Sequence, residues 1–261
     1  MNKNVHLVYF SATDTTSKIV KAIGSDLGSS FIDHNITLPQ ARENPLSFTH
    51  QDLVVVGVPV YAGRVPAFLV DYFTEMKGEN TPVICIVLYG NRHYDDALLE
   101  LKELLEENGF LPVAGGAFIG EHSNTRKVAT GRPDSRDAKE AIKFANQLKT
   151  KLEKENRDDK PPSLTVYGNH PYKERKPMPP MTPDTNDNCT QCGICAATCP
   201  MGAIDFEDFI TVDETLCIHC SSCVKRCPVD AKHIHHEIFQ NFTQMLIDKC
   251  SNQRREPEFF L

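Results

Sequence analysis

Eight cysteines fall in two runs, at 189, 192, 195 and 199 and at 217, 220, 223 and 227. Each run reads C-x2-C-x2-C-x3-C and is closed by a proline, Pro200 or Pro228; the second repeats the first at a period of 28 residues. Four thiolates converging on one small volume are what a cubane iron–sulfur cluster needs. Three closely spaced cysteines wrap three corners in one turn of chain, and the fourth ligand comes from elsewhere: in this spacing the last Cys of each run ligates the other cluster. The predicted sets are Cys189, Cys192 and Cys195 with Cys227, and Cys217, Cys220 and Cys223 with Cys199. The proline stiffens the chain at the crossover. Short residues between the ligands (Gly193, Ala196, Ala197, Ser221, Ser222) leave room for backbone N–H groups to approach sulfur. Zinc and disulfides are the competing uses of eight cysteines. Zinc knuckles usually come as two pairs, and disulfide frameworks belong to small secreted chains.

Residues 184–238 resemble a bacterial-type ferredoxin with two 4Fe–4S clusters. The resemblance implies a small α+β ferredoxin-like domain, two ββ-and-helix halves about a pseudo-twofold axis, and one-electron transfer as its role.

Three loops in the first half also carry chemistry. Residues 11–16 (SATDTT) present four hydroxyl side chains at the start of a helix. This is a phosphate site built from dipoles, with no Lys required; the competing reading is a plain helix N-cap. G-x-x-x-x-G-K and G-x-G-x-x-G are both absent, so it is neither a Walker loop nor a dinucleotide fingerprint. Residues 59–66 (PVYAGRVP) and 89–96 (YGNRHYDD) each hold an aromatic and a glycine. Two aromatics from neighbouring loops could sandwich a flat ring with Gly backbone at its edge; taken singly, Tyr61 and Tyr94 also read as half-buried surface rings.

The elements that must position these loops alternate between strand and helix. Strands are predicted at 5–10, 31–36, 53–58, 82–88 and 111–119, and helices at 15–27, 67–76, 95–107 and 135–155. Continuous apolar strands alternating with helices imply a parallel sheet covered on both faces. Ligands then bind beyond the carboxyl ends of the strands, where the three loops lie.

With S-x-T-x-x-T after the first strand and aromatic loops after the third and fourth, residues 3–155 resemble flavodoxin. The resemblance implies a doubly wound five-stranded parallel sheet in the order 2-1-3-4-5 and a bound FMN. The phosphate is expected on Ser11, Thr13, Thr15 and Thr16, with Asp14 contributing backbone. Tyr61 and Tyr94 are expected to flank the isoalloxazine, and Gly63, Gly90 and Asn91 to line its edge. Flavodoxin phosphate loops often carry Gly where Asp14 stands; Asp tolerates the same left-handed backbone, but an inward carboxylate would repel phosphate. A loop suited to a terminal monophosphate, without a dinucleotide fingerprint, favours FMN over FAD. Arg64 and Arg92, beside Gly63 and Asn91, are expected to favour a reduced, anionic flavin, unless they point to solvent or dock the acidic second half.

The domains are read as 1–160, a connector 161–183, the ferredoxin-like 184–238, and a docking helix with tail 239–261. Seven of the 23 connector residues are Pro, so it is extended, with a reach of about 70 Å at ~3 Å per residue, and Tyr167, Tyr172 and Met178 suggest that it lies on a surface. Residues 238–250 read as a helix with one apolar face. His233, His235 and His236 read as a solvated strand end before a metal site, and Cys85 and Cys250 as structural.

The formal charge of −7 argues against nucleic acid. Residues 184–261 carry 12 acidic and 6 basic side chains, which suits redox partner proteins with basic docking surfaces. No signal peptide opens the sequence and no apolar run approaches the ~20 residues that span a bilayer, so a cytoplasmic protein without a membrane segment is expected. The whole chain resembles the flavodoxin–ferredoxin fusions of anaerobes. That implies an electron carrier coupling FMN to two 4Fe–4S clusters and shuttling low-potential electrons between redox proteins. The alternative is an FMN-dependent reductase of a quinone or nitro compound fed by the clusters, with His93 or His122 as acid. The sequence leaves the oligomeric state open, a homodimer included.

Overall fold

Runs such as LVVVGV at 53–58 have no polar face and must be covered on both sides. In the computed structural model, which describes residues 3–154 and 163–261, they form the centre of one sheet between two helix layers. In chain order the elements are β1 (Asn4–Tyr9), α1 (Thr15–Leu27), β2 (Ile32–Asn35), β3 (Ser47–Phe48), β4 (Asp52–Pro59), α2 (Ala67–Glu75), β5 (Lys77–Gly78), β6 (Thr81–Tyr89), α3 (Ala97–Glu107), β7 (Phe110–Ile119) and α4 (Ser135–Lys154). The second half adds β8 (Asp184–Thr185), α5 (Ile194–Ala197), α6 (Ser222–Arg226), β9 (Lys232–His233), α7 (Glu237–Cys250) and β10 (Glu258–Phe260).

The main sheet runs β2-β1-β4-β6-β7-β10. Its first five strands are parallel, in the expected 2-1-3-4-5 order, the doubly wound order of the flavodoxin-like fold. Alternate residues of one strand serve opposite layers. Val54, Val56 and Val58 pack with Leu69 and Phe73 of α2 and Leu98, Leu101 and Leu105 of α3. Leu53 and Val55 pack with Ile19, Val20 and Ile23 of α1 and Phe144 and Leu148 of α4. Each such aliphatic side chain contributes roughly 1.5–3 kcal/mol on burial. Gly57 lets α1 approach the sheet, since a Cβ there would meet Val20 at 2.3 Å.

The five-stranded expectation is corrected by a sixth strand. β10, from the C-terminal tail, pairs antiparallel with β7, Phe259 opposite Gly116. Phe259 fills the space between Phe118 and Phe144, with ring centroids 5.5 and 5.1 Å away. The tail therefore closes the edge of the first domain. α7 docks beside it: Leu246 and Cys250 pack on Val128 of the segment after β7.

The described part of the connector, from residue 163, is a strap on the first domain. Leu164 is buried, Val166 packs against the core, and the N–H and Nδ2 of Asn169 donate to Asp96 Oδ1 at 2.9 and 3.0 Å. The Lys173 N–H donates to Asp96 Oδ2 at 2.6 Å, and Tyr172 bonds Glu103. Residues 155–162, including the first two connector prolines, lie outside the described residues.

The second half repeats its backbone as well as its sequence. Gln191 and His219 both have φ +54°, Gly193 and Ser221 have +73° and +58°, and Gly202 and Asp230 have +65° and +47°. Each pair is 28 residues apart. β8 pairs antiparallel with β9, and Asp213 N–H donates to Ala203 O at 2.8 Å on the other side of the pseudo-twofold. Among the described residues no helix is long and apolar enough to cross a membrane.

Candidate redox sites at the seam of the two domains

At the carboxyl ends of β1, β4, β6 and β7, four loops line a cavity that opens to solvent. β1 delivers Ala12, Thr13, Thr15 and Thr16, β4 delivers Val60 and Tyr61, β6 delivers Tyr89 and Gly90, and β7 delivers Gly120, Glu121, His122 and Ser123. Asp14 sits at φ +64°, the left-handed conformation that turns the chain into α1. Thr16 is buried and its Oγ1 has no hydrogen-bond partner. A buried orphan hydroxyl beside the first N–H groups of a helix fits a phosphate acceptor. The Asp14 carboxylate is turned outward: Arg226 Nη2 holds it at 2.7 Å. The residues present therefore fit a flavin phosphate, and the repulsion that Asp14 threatened is averted by a guanidinium from the other domain.

Of the ten residues expected at the flavin, Thr13, Thr15, Thr16, Tyr61 and Gly90 line this cavity. The other five stand elsewhere, each for a physical reason. Ser11 Oγ accepts the Ser17 N–H at 3.1 Å and so shapes the loop from beneath. Asp14 faces Arg226. Gly63, at φ +85°, makes a turn against Asp95, whose carboxylate would lie 2.2 Å from an added Cβ. Asn91 is fully buried, donating from Nδ2 to the Cys250 and Gln253 carbonyls at 2.9 and 2.7 Å. Tyr94, 1% exposed, is a core residue whose hydroxyl donates to Glu258 at 2.6 Å. Both Asn91 and Tyr94 are engaged by the C-terminal tail, which occupies the side where the ring contact was expected.

The tuning role expected of the arginines is also corrected. Arg64 donates to both carboxylate oxygens of buried Glu100 at 2.7 Å and to Lys173 O at 2.6 Å, so it anchors the strap. Arg92 is paired with Asp95. The loop after β7 also lines the cavity; it has no glycine–aromatic pair to draw notice, and of its residues the sequence singles out only His122, as a candidate acid. There His122 lies over Gly90, whose added Cβ would meet the ring at 2.4 Å. Its Nδ1 accepts the Asn124 N–H at 3.1 Å, which leaves the proton of the neutral ring on Nε2. Burial, with the charges of Lys225 and Arg92, pulls its pKa down to about 4.

The cysteines gather in two further cavities. One is lined by Cys199, Cys217, Cys220 and Cys223; the other by Cys189, Cys192, Cys195 and Cys227. Each cavity thus takes three cysteines from one run and the last from the other. Backbone N–H groups reach the crossing sulfurs, Ala203 to Cys199 Sγ at 3.2 Å and Ala231 to Cys227 Sγ at 3.1 Å. Burial pushes the Cys220 and Cys223 thiols up to about 12; thiolates there need the positive charge of bound iron. That donor set, four soft sulfurs lining one space, fits an iron–sulfur group.

The flavin-side cavity and the first of these cysteine cavities meet at the seam. Tyr61 and Val60 share one apolar cluster with Ile218 and Cys220. Burial, with the Cys220 sulfur nearby, pushes the Tyr61 hydroxyl pKa well up. Ser222 Oγ donates to Ala12 O at 2.8 Å, and Lys225 Nζ pairs with Glu121 at 2.6 Å.

Residues 188–231 match the 4Fe-4S dicluster domain family. A search of curated protein sequences returns no match. Similar solved structures include a flavodoxin from the domain Archaea (14% identity, 57% of this chain and 99% of that one, TM-score 0.39). Flavodoxin 2 from Bacillus cereus is similar at 15% identity, over 57% of this chain and 99% of that one, with TM-score 0.44. Rubredoxin oxygen:oxidoreductase from the anaerobe Desulfovibrio gigas is similar at 17% identity, over 58% of this chain and 38% of that one, with TM-score 0.39. The first half thus has the 2-1-3-4-5 parallel strand order of the flavodoxin-like fold, and residues 188–231 of the second half match the 4Fe-4S dicluster domain family.

Proposed function

We propose that this protein is an electron carrier that couples FMN to two 4Fe–4S clusters and passes electrons on to redox partner proteins. The observation that carries the reading is the seam: the loop suited to the flavin phosphate and the aromatic suited to its ring both touch the helix and cysteine of one cluster cavity. When bound, FMN supplies a centre that accepts two electrons and returns them singly, and each cluster carries one.

The chain's own residues then have separate tasks. Thr13, Thr15 and Thr16, with the first N–H groups of α1, bind the phosphate. Arg226 keeps the Asp14 carboxylate away from it. Tyr61 covers the ring and excludes water between it and Cys220. Ala203 and Ala231 donate N–H groups to the crossing cysteines. The order of centres is flavin, then the cluster of Cys217, Cys220, Cys223 and Cys199, then that of Cys189, Cys192, Cys195 and Cys227, whose Cys192 is exposed. Beside the outer site, residues 205–216 carry five acidic and no basic side chains around exposed Phe206 and Ile210, which suits a partner with a basic docking face. Eight thiols held for metal suit a reducing, cytoplasmic compartment. The reductase alternative is the weaker one, because a His122 with pKa about 4 has no proton to give at neutral pH.

Anaerobic purification tests the reading. We expect one FMN, not FAD, and about eight irons and eight sulfides per chain; half that iron, or zinc in its place, overturns the cluster assignment. In Cys199→Ala the cluster of Cys217, Cys220 and Cys223 should lose its signal while the one adjacent in sequence survives. Stopped-flow reduction should show electrons moving between flavin and clusters within one chain, at a rate independent of protein concentration.

A further inference from the structure

At one position the duplicated halves are electrostatically unequal. A shift of 28 residues carries Ala203 onto Ala231 and Ile204 onto Lys232. Ala203 and Ile204 line the cavity of Cys199, Cys217, Cys220 and Cys223; Ala231 and Lys232 line that of Cys189, Cys192, Cys195 and Cys227. In both halves the alanine N–H reaches the crossing cysteine. The next side chain therefore enters its cavity from an equivalent backbone position, an aliphatic one on one side and a cation on the other.

Lys232 is 2% exposed. Its Nζ donates to the Phe209 carbonyl at 2.6 Å and to the Ile210 carbonyl at 3.4 Å, and among the described residues it forms no ion pair. The carboxylate that feels its charge, Asp208, stands at the surface and accepts the Ile210 and Thr211 N–H groups. Burying an ammonium without a counter-ion costs several kcal/mol, and two carbonyl dipoles offset only part of that. The rest must come from anions in the same space.

We propose that Lys232 is a fixed positive charge that makes the two clusters unequal, holding an added electron in the cluster of Cys189, Cys192, Cys195 and Cys227 in preference to its twin. This rests on the two-cluster reading above. One-electron reduction adds one negative charge, and a cation lining a water-poor cavity stabilises that charge; Ile204 offers the twin no such help. In the resulting step one cluster is oxidised by one electron, the other is reduced by one, and no proton moves. Because the favoured cluster is the one away from the seam, the lysine biases the electron outward, from the flavin side toward exposed Cys192.

The test is an anaerobic dithionite titration followed by EPR, on the full chain, after iron and sulfide counts. Lys232→Ile gives both halves the same residue. The wild type should titrate in two waves, the higher-potential wave belonging to the lysine-lined cluster. In Lys232→Ile that wave should fall by at least about tenfold in its one-electron equilibrium, or 59 mV, and merge with the other. Lys232→Arg should keep the splitting, and Ile204→Lys should raise the lower wave. Iron for only one cluster in the wild type would sink the two-cluster reading itself. Full iron with waves unmoved in Lys232→Ile and Ile204→Lys would sink the lysine inference alone. Should Lys232→Ile not assemble, Lys232→Arg and Ile204→Lys decide.

Discussion

His122 shows how much one side chain's surroundings settle. Unfolded, its ring titrates near 6.5; folded, burial and the charges of Lys225 and Arg92 pull it down to about 4. Above pH 6.5 both states are neutral and the ring has no bearing on stability. As pH falls from 6.5 toward 4, the unfolded chain takes up a proton that the folded chain refuses. Stability therefore falls, by about 2–3 kcal/mol in all for a partly exposed ring, and levels off below pH 4. Urea unfolding at pH 7 and pH 5 should show the drop, and His122→Gln should lessen it. An unchanged pH slope in the variant would mean that other histidines set the acid limit. The sequence offers His122 as a candidate acid but not its state, which depends on burial and on charges such as Lys225, 103 positions away. The cysteines are the opposite case. Their chemistry demands three ligands within one turn of chain, so their grouping was legible from spacing. Tyr94 and Asn91 lie between: their loop follows β6 as expected, but their partners Glu258, Cys250 and Gln253 come from the far end of the chain.

At the scale of elements, the central strands β1, β4, β6 and β7 were legible because each is a continuous apolar run bounded by turn residues, and the helices because of their periodicity, whereas β2 (IDHN) is short and exposed. β10 was not legible: three residues at the end of a tail carry no period. The connector was read as extended, which its prolines dictate, but its adhesion to α3 and the neighbouring loops depends on scattered partners. Glu100 is the centre of that adhesion. It is 3% exposed and accepts from Arg64, from the Val65 N–H at 2.9 Å and from Arg175 at 2.8 Å. Removing its charge leaves two guanidiniums facing each other with no anion between them. Glu100→Gln should destabilise the chain by about 3–5 kcal/mol and release the strap, seen as faster trypsin cleavage at Lys173 and Arg175. Cleavage there at the wild-type rate would mean that Asp96 and the Leu164 and Val166 contacts hold the strap without the ion triad.

At the scale of the molecule, the two domains meet through few but directed contacts, and these join the phosphate loop to a cluster helix. Arg226 is the link: it holds Asp14 at 2.7 Å and donates to Ala12 O at 3.3 Å. Released, the Asp14 carboxylate is free to turn toward the N-terminus of α1, where a helix attracts any anion and where it would compete with phosphate. Arg226→Glu should therefore weaken FMN binding by about tenfold, or 1.4 kcal/mol, and slow electron transfer between flavin and clusters. Because Arg226 adjoins Cys227, a loss of FMN alone would not separate a seam effect from a damaged cluster. The double variant Asp14→Asn with Arg226→Glu does so: with no carboxylate to repel phosphate, FMN affinity should return toward wild type although the seam stays open. FMN titration by fluorescence, alongside iron counts, gives the cycle. Recovery of affinity without recovery of the transfer rate would assign Arg226 two tasks, shielding the phosphate and closing the seam. By linkage, FMN must then tighten the domain contact by the same factor that the contact tightens FMN. Failure of the double variant to recover affinity, with clusters intact, would show that Asp14 never threatens the phosphate.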